Sequence, residues 1–251
     1  MHVLALDTTT RDGSVALVNE HGVVEERRGD GALSHAERLP GELIALAEAR
    51  GLSVGAIDVF AVAAGPGSFT GLRIGIATIQ GLALTTGKKI VAVSALEALA
   101  QSADRAPGTL IASWMDARRH DVFAALYRVV DAPHFSPERL VEVEGAIVGD
   151  PGATLARWRH LREASVIFVG DGATLYADVI ADHQAMRWEV LSEPPLLAGA
   201  IGRMAVARAQ RGDTIDPAAV HPLYVRRPDV EVERERNTLE HNGHKNLLNG
   251  K

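Results

Sequence analysis

Residues 57–64 lead into Gly65-Pro66-Gly67-Ser68-Phe69-Thr70-Gly71-Leu72-Arg73-Ile74-Gly75, and residues 72–85 carry the chain away again. The first segment is an apolar run that reads as a buried strand. The last is a long apolar stretch that reads as a helix. Strand, glycine turn, helix is the setting for a backbone that bends sharply or lets another group approach closely. Four glycines in this stretch predict a geometry that side chains would block, so Gly65, Pro66, Gly67, Ser68, Phe69, Thr70 and Gly71 are expected to form a structural turn. Ser68 or Thr70 is placed to cap the helix that follows.

That helix has two apolar sides. At about 100° per residue, Leu72, Ile76, Ile79 and Ala83 fall together, while Ile74, Ala77, Gly81 and Leu84 fall nearly opposite. Only Arg73, Gln80 and a few threonines favour water. A helix on the surface of a monomer needs one apolar stripe. A second stripe calls for a second cover, either another helix of this chain or a partner subunit. Gly75, Ala77 and Gly81 would permit close helix packing.

The chain has 251 residues, 47% of them hydrophobic, enough for one large domain or two lobes of roughly 100 residues each. No apolar run approaches the ~20 residues that span a bilayer. The opening Met1–Asp7 lacks a basic segment and cleavage site of a secretory leader, so the expected location is cytoplasmic. There is no cysteine, which excludes disulfides, thiolate catalysis and cysteine-type zinc sites. The formal charge of −6 disfavours a chain that grips nucleic acid alone through a basic surface, so a partner is expected to do most of any such holding.

Residues 3–7, 14–19 and 23–28 read as three strands. Ser34 caps a helix to Arg50, with Glu37 at the capping-box position. The strand to Ala64, the glycine turn, the doubly apolar helix, a strand at 89–93 and a helix at 95–102 follow. Three strands and then alternating helix and strand predict a mixed sheet with helices on its faces. Residues 104–108 read as a linker. The second half is less regular, with strands at 109–115, 121–130 and 165–169, and helices at 151–161, 174–182 and 195–211. The expected division is 1–104, 105–222 and a polar, disordered tail at 223–251.

Several motifs invite chemistry. The glycine turn misses both the dinucleotide fingerprint and the Gly-Lys-Ser/Thr loop. Asp7-Thr8-Thr9 at a strand end is similar to the first phosphate-contacting segment of actin-like ATPases, and Gly170-Asp171-Gly172 to their nucleotide clamp. The alternative is a turn carboxylate that caps nearby N–H groups. Ten histidines raise the question of a metal, but no pair stands at helical ligand spacing. Asp116, Arg118, Arg119 and His120 form a polar cluster, read either as an acid–base group or as a solvated turn with local ion pairs.

Taken together, Leu4-Ala5-Leu6-Asp7-Thr8-Thr9, Ser34-His35-Ala36-Glu37-Arg38-Leu39-Pro40, the Gly65–Gly75 block, Ser94-Ala95-Leu96-Glu97-Ala98-Leu99, Met115-Asp116-Ala117-Arg118-Arg119, Gly170-Asp171-Gly172 and Pro222-Leu223-Tyr224-Val225-Arg226 resemble the TsaB (YeaZ) family in order and spacing. The resemblance covers roughly residues 2–227. It implies an α/β, actin-like ATPase (ASKHA) fold of two ribonuclease-H-like lobes with mixed sheets flanked by helices. It also implies a non-catalytic subunit of the machinery that makes N6-threonylcarbamoyladenosine at position 37 of tRNAs that read codons beginning with A. The catalytic relative, TsaD, carries a His-x-x-x-His metal pair, and the matching positions here are Ala95 and Leu99.

The resemblance further implies pairing through the helices at 34–50 and 70–86. The expected interface is His35, Leu39, Leu43, Leu72, Arg73, Ile74, Ile76, Ala77, Thr78, Gly81 and Leu84. The expected partners are a TsaD-like transferase, a TsaE-like ATPase and, in isolation, a second copy; tRNA is met only through the complex, and no membrane is involved. No catalytic residue, metal or tightly bound cofactor is expected, with ATP or ADP entering at the level of the complex. A nucleotide-like cleft would use Asp7, Thr8, Thr9, Gly170 and Asp171. The rival readings are an actin-like ATPase or kinase using Asp7 and Gly170, and a metalloprotease-like enzyme.

Overall fold

The computed structural model describes residues 1–161, 164–183 and 187–225. The first half forms β1 (His2–Asp7), β2 (Ser14–Asn19), β3 (Gly22–Arg28), α1 (His35–Glu48), β4 (Val59–Gly65), α2 (Phe69–Thr86), β5 (Lys89–Ser94) and α3 (Ala95–Ser102). The second half forms β6 (Leu110–Asp116), β7 (Val122–Val129), β8 (Leu140–Gly149), α4 (Pro151–Arg157), β9 (Val166–Val169), α5 (Asp171–Leu175), α6 (Ala177–Asp182), β10 (Trp188–Val190) and α7 (Ala198–Ala209).

The strands make two five-stranded sheets with one topology. The first runs β3-β2-β1-β4-β5 and the second, read from its other edge, β8-β7-β6-β9-β10. In each, the first three strands are antiparallel and the last two join in parallel. This is the duplicated ribonuclease-H-like arrangement of the actin-like fold, and it meets the sequence expectation.

β1 and β4 are apolar throughout because both faces of the first sheet are covered. Val3 and Ala5 face one core, Leu4 and Leu6 the other. The outer face packs against α1 and α2, which use Leu39, Leu43 and Leu46 and Ile76, Ile79 and Ala83. The inner face packs against α3 and α7, which lie between the two sheets. The outer face of the second sheet is closed by α4 and α6 around Trp114, Trp158 and Phe168.

Several expectations are corrected. The sequence reading assigned no strand at β8 or β10: β8 is a half-exposed edge strand carrying Glu142 and Glu144, and β10 has three residues. The single helix expected at 174–182 is two short ones meeting at Tyr176. α7 begins at Ala198, beyond Pro194 and Pro195. The largest correction concerns the division of the chain. Residues 105–222 were expected to form the second lobe, yet α7 packs on β1, β2, β3, β4 and β5 of the first. Its small residues make this contact; a Cβ at Gly202 would lie 2.5 Å from Val18 Cγ2. The expected tail begins too early, since Leu223 is hydrogen-bonded to β4; its remainder, 226–251, lies outside the described residues.

Candidate functional site in the interlobe cleft

The glycine turn is built around two neighbours from elsewhere in the chain. Gly65 has φ of 130°, and a Cβ there would lie 2.5 Å from the Leu223 carbonyl oxygen. A Cβ at Gly67 would lie 2.5 Å from Thr9 Cβ, and those at Gly71 and Gly75 would overlap Thr8. The glycines therefore seat the start of α2 directly on the Thr8–Thr9 turn and beneath the 222–224 segment. The Gly65–Pro66 bond is cis. Ser68 supplies the cap, accepting the Gly71 N–H at 3.2 Å.

Residues 217–225 form a strap along α2. Gln80 donates to the Pro217 carbonyl at 2.7 Å, the Leu223 N–H donates to Ala64 O at 2.7 Å, and Arg73 Nε donates to the Tyr224 hydroxyl at 3.0 Å. The Tyr224 ring stacks on Phe69 with centroids 5.2 Å apart, and the Arg73 guanidinium lies over Phe69 at 4.0 Å.

These pieces border a cleft of about 540 Å³ between the lobes. Its walls bring together most motifs of the sequence: Thr9, Thr10 and Arg11 from the β1–β2 turn, His35, the Pro66–Thr70 turn, Asp116–Arg119 after β6, Asp171, and Leu223–Val225.

The five residues expected to hold a nucleotide are placed differently from one another. Thr9 and Asp171 line the cleft. Asp7 is buried, and its carboxylate serves its own turn, accepting from the Thr9 N–H at 2.9 Å, the Thr9 hydroxyl at 2.6 Å and the Thr10 hydroxyl at 2.9 Å. Thr8 points into the packing with Gly71 and Gly75. Gly170, with φ of 118°, lies against the Trp114 carbonyl. Asp171 accepts the N–H groups of Asp116 at 3.1 Å and Gly172 at 2.9 Å, and burial raises its pKa despite those bonds. Of the two readings of Asp7, the capping carboxylate is the one observed.

His35 lies at the cleft edge with Nδ1 2.7 Å from the buried Arg38 guanidinium. Burial first, and then the Arg38 charge, lower its pKa. Arg38 also donates to the Asp12 carbonyl and to Glu42, tying the β1–β2 turn to α1. Arg118, Arg119 and His120 have φ of 60°, 55° and 63°, three successive left-handed residues without a glycine. Arg118 pairs with Asp116 at 3.1 Å. Sequence reasoning left unassigned Arg11, which lines the cleft, and the Tyr224–Phe69 stack, which joins residues more than a hundred positions apart.

The interface expectation is corrected in part. Leu39, Leu43, Leu72 and Ile76 are buried in the chain's own core and are not available to a partner. The outer face of the first sheet needs them, since Leu4, Leu6, Phe60 and Val62 lie beneath. The opposite stripe of α2 is open: Ala77 and Gly81 are exposed, Ile74 and Thr78 half-buried, and Leu84 is 62% exposed. Ile44 on α1, off that helix's main stripe, is also exposed. At the two positions that match the metal pair of the catalytic relative, Ala95 and Leu99 are buried among apolar neighbours.

Comparison with known proteins agrees. The family model described as TsaD, tRNA N6-adenosine threonylcarbamoyltransferase, matches residues 24–213. The tRNA threonylcarbamoyladenosine biosynthesis protein TsaB of Escherichia coli is 33% identical over 189 residues, covering 70% of this chain and 81% of that protein. The Bacillus subtilis protein of the same name is 31% identical over 185 residues, covering 72% and 76%. The solved structure of YeaZ from Pseudomonas aeruginosa superposes with a TM-score of 0.72 at 28% identity, covering 89% of this chain and 99% of that one. Duplicated topology, the glycine turn seated on Thr8–Thr9, and these matches across most of the chain agree that it belongs to the TsaB (YeaZ) family.

Proposed function

We propose that this chain serves tRNA N6-threonylcarbamoyladenosine formation as a scaffold rather than as the catalyst. It pairs with a TsaD-like transferase through the open stripe of α2 and the adjoining exposed part of α1, and holds that subunit competent to move the threonylcarbamoyl group onto tRNA. A TsaE-like ATPase joins the pair, and tRNA is met through the assembly. ATP or ADP enters with the assembly, in the cytoplasm. Without the transferase, two copies close over the same surface.

One observation carries the reading. α2 already buries a full stripe against its own sheet, yet Ala77, Gly81 and Leu84 face outward, with half-buried Ile74 at their edge. Burying an exposed aliphatic side chain stabilises an assembly by about 1.5–3 kcal/mol. Small residues at positions 77 and 81 let a partner helix come close. Where the resemblance places the histidine pair of the catalytic relative, this chain has Ala95 and Leu99, which supports a non-catalytic role. The internal hydrogen bonds of Asp7 favour the scaffold over an ATPase that would use this carboxylate.

The test is the double variant Ile74→Glu with Ala77→Glu. It is expected to elute as a monomer in light scattering, to lose co-purification with the transferase, and to abolish modification of tRNA in the reconstituted system. Its circular dichroism should match that of the parent, with a modest fall in Tm because Ile74 is half-buried against the outer core. A folded double variant that still pairs would refute the interface.

A further inference from the structure

We propose that the two lobes move as one rigid body, locked at a single relative angle by the loop between β7 and β8, which is seated on α3 and α7. This goes beyond the scaffold role, and it uses neither the cleft nor the α2 surface.

The core is the first support. Two parts of one chain move relative to each other unless the surface between them is large and apolar. Here the lobes share a core. Val3 and Ala5 of the first sheet and Phe123, Ala125 and Val129 of the second belong to one buried cluster, with α3 and α7 filling the space between. A close-packed core has discrete arrangements rather than a continuous range of shapes, so a hinge motion has to break this packing.

The second support is the connection where a hinge would act. Residues 103–109 join α3 to β6. Arg139, at the end of the β7–β8 loop, donates to the Arg105 carbonyl at 2.9 Å, and the Gly108 N–H donates to the Val129 carbonyl at 2.8 Å. A hinge absorbs large changes of φ and ψ, and these bonds oppose such changes.

The third support is the loop itself. Gln101 of α3 is 2% exposed, and both ends of its amide hold the loop. Its Nε2 donates to the Ser136 carbonyl at 3.1 Å, and its Oε1 accepts the Phe135 N–H at 3.2 Å. Phe135 has φ of 65°, a left-handed conformation that a bulky residue keeps only where its surroundings enforce it. Its ring lies in the shared core, with the Arg203 guanidinium of α7 4.4 Å above it. Arg211 of α7 meets Glu138 of the same loop. One loop of the second lobe thus fastens both helices. The helices are also tied to each other, since Arg208 of α7 donates to both carboxylate oxygens of Glu97 on α3 at 2.8 Å. From β7 the Tyr127 hydroxyl is hydrogen-bonded to Ser94, the cap of α3.

The chain has no cysteine, so His21→Cys and Asp178→Cys, at exposed positions on the two lobes, carry two nitroxide labels. Double electron–electron resonance on the full chain, diluted with unlabelled chain, reads the distance within one copy. A single narrow distance is expected, and a broad or two-peaked distribution overturns the proposal. Urea unfolding gives a second readout. The three tryptophans, Trp114, Trp158 and Trp188, all lie in the second lobe, while circular dichroism reports both. Their transitions should coincide, as for one cooperative unit, and separate transitions overturn the proposal. The Gln101→Ala, Phe135→Ala double variant should lose the single narrow distance and split the transitions. Arg203→Ala with Arg211→Ala, at exposed positions, loosens the same loop without entering the core and should widen the distribution. Lys89→Ala, at the surface pair with Asp216, should keep the narrow peak. Folded loop variants that keep both the narrow distance and the coincident transitions overturn the lock. Every measurement uses the chain without the transferase, so failure of the lock and failure of the pairing are read separately.

Discussion

His35 illustrates how one side chain in this chain serves the fold and borders the site. Its ring accepts from Arg38, and burial with that cation lowers its pKa below the ordinary histidine value. The groups facing it are Arg38 and Glu42 on α1, Asp7 at the end of β1 and the Thr10 backbone, and the two carboxylates oppose the shift without reversing it. The unfolded chain therefore takes up a proton on His35 at a higher pH than the folded chain does. The contribution to stability is complete above the unfolded value of about 6.5 and is lost as pH falls from there through the folded value. Urea denaturation of the parent and of His35→Gln should show the stability difference between them shrinking, or reversing, as pH drops from 7.5 toward 5. A difference that stays flat with pH would mean that His35 does not titrate differently on folding.

α2 shows how glycines in one helix do opposite work. Gly75 lies against buried Thr8, where a Cβ would overlap the threonine side chain; Gly81 faces open space, with nothing within 4 Å. Gly75→Ala is expected to destabilise the chain by about 1–3 kcal/mol, the usual cost of overpacking. Gly81→Ala is expected to stabilise the isolated chain by up to about 1 kcal/mol through helix propensity. Chemical denaturation at fixed pH compares the two, and equal effects would contradict the burial pattern of the helix. The same reasoning covers the strap. Leu223 and Tyr224 sit on α2 because Gly65 leaves room for the Leu223 carbonyl and Arg73 meets the Tyr224 hydroxyl.

The two sheets are built from successive halves of the chain, but the first lobe is not complete until α7 returns to it. Val3, Ala5, Val18, Ala61 and Val91 on its inner face share a core with Ile201, Met204 and Ala205 of α7. A fragment of residues 1–104 would expose that face to water, and it is expected to remain unfolded or to aggregate. Fusing residues 196–212 to its end through a flexible linker should restore native-like circular dichroism and dispersed amide resonances. A well-folded, monomeric 1–104 fragment would show that α7 is dispensable.

Local pattern made much of this protein legible. Strands β1 to β5 and helices α1 to α3 follow from apolar runs, caps and glycine stops, because hydrophobic period and capping act over a few residues. The two stripes of α2 were legible for the same reason. Which stripe faced inward was not, because both are apolar and only the sheet beneath chooses between them. β8 and β10 complete the edges of the second sheet by pairing with β7 and β9. The return of α7 and the placing of Arg11 and Arg118 on one cleft each depend on residues far apart in sequence. Such contacts form only once chain folding has brought the two sheets together, so no local window of residues contains them.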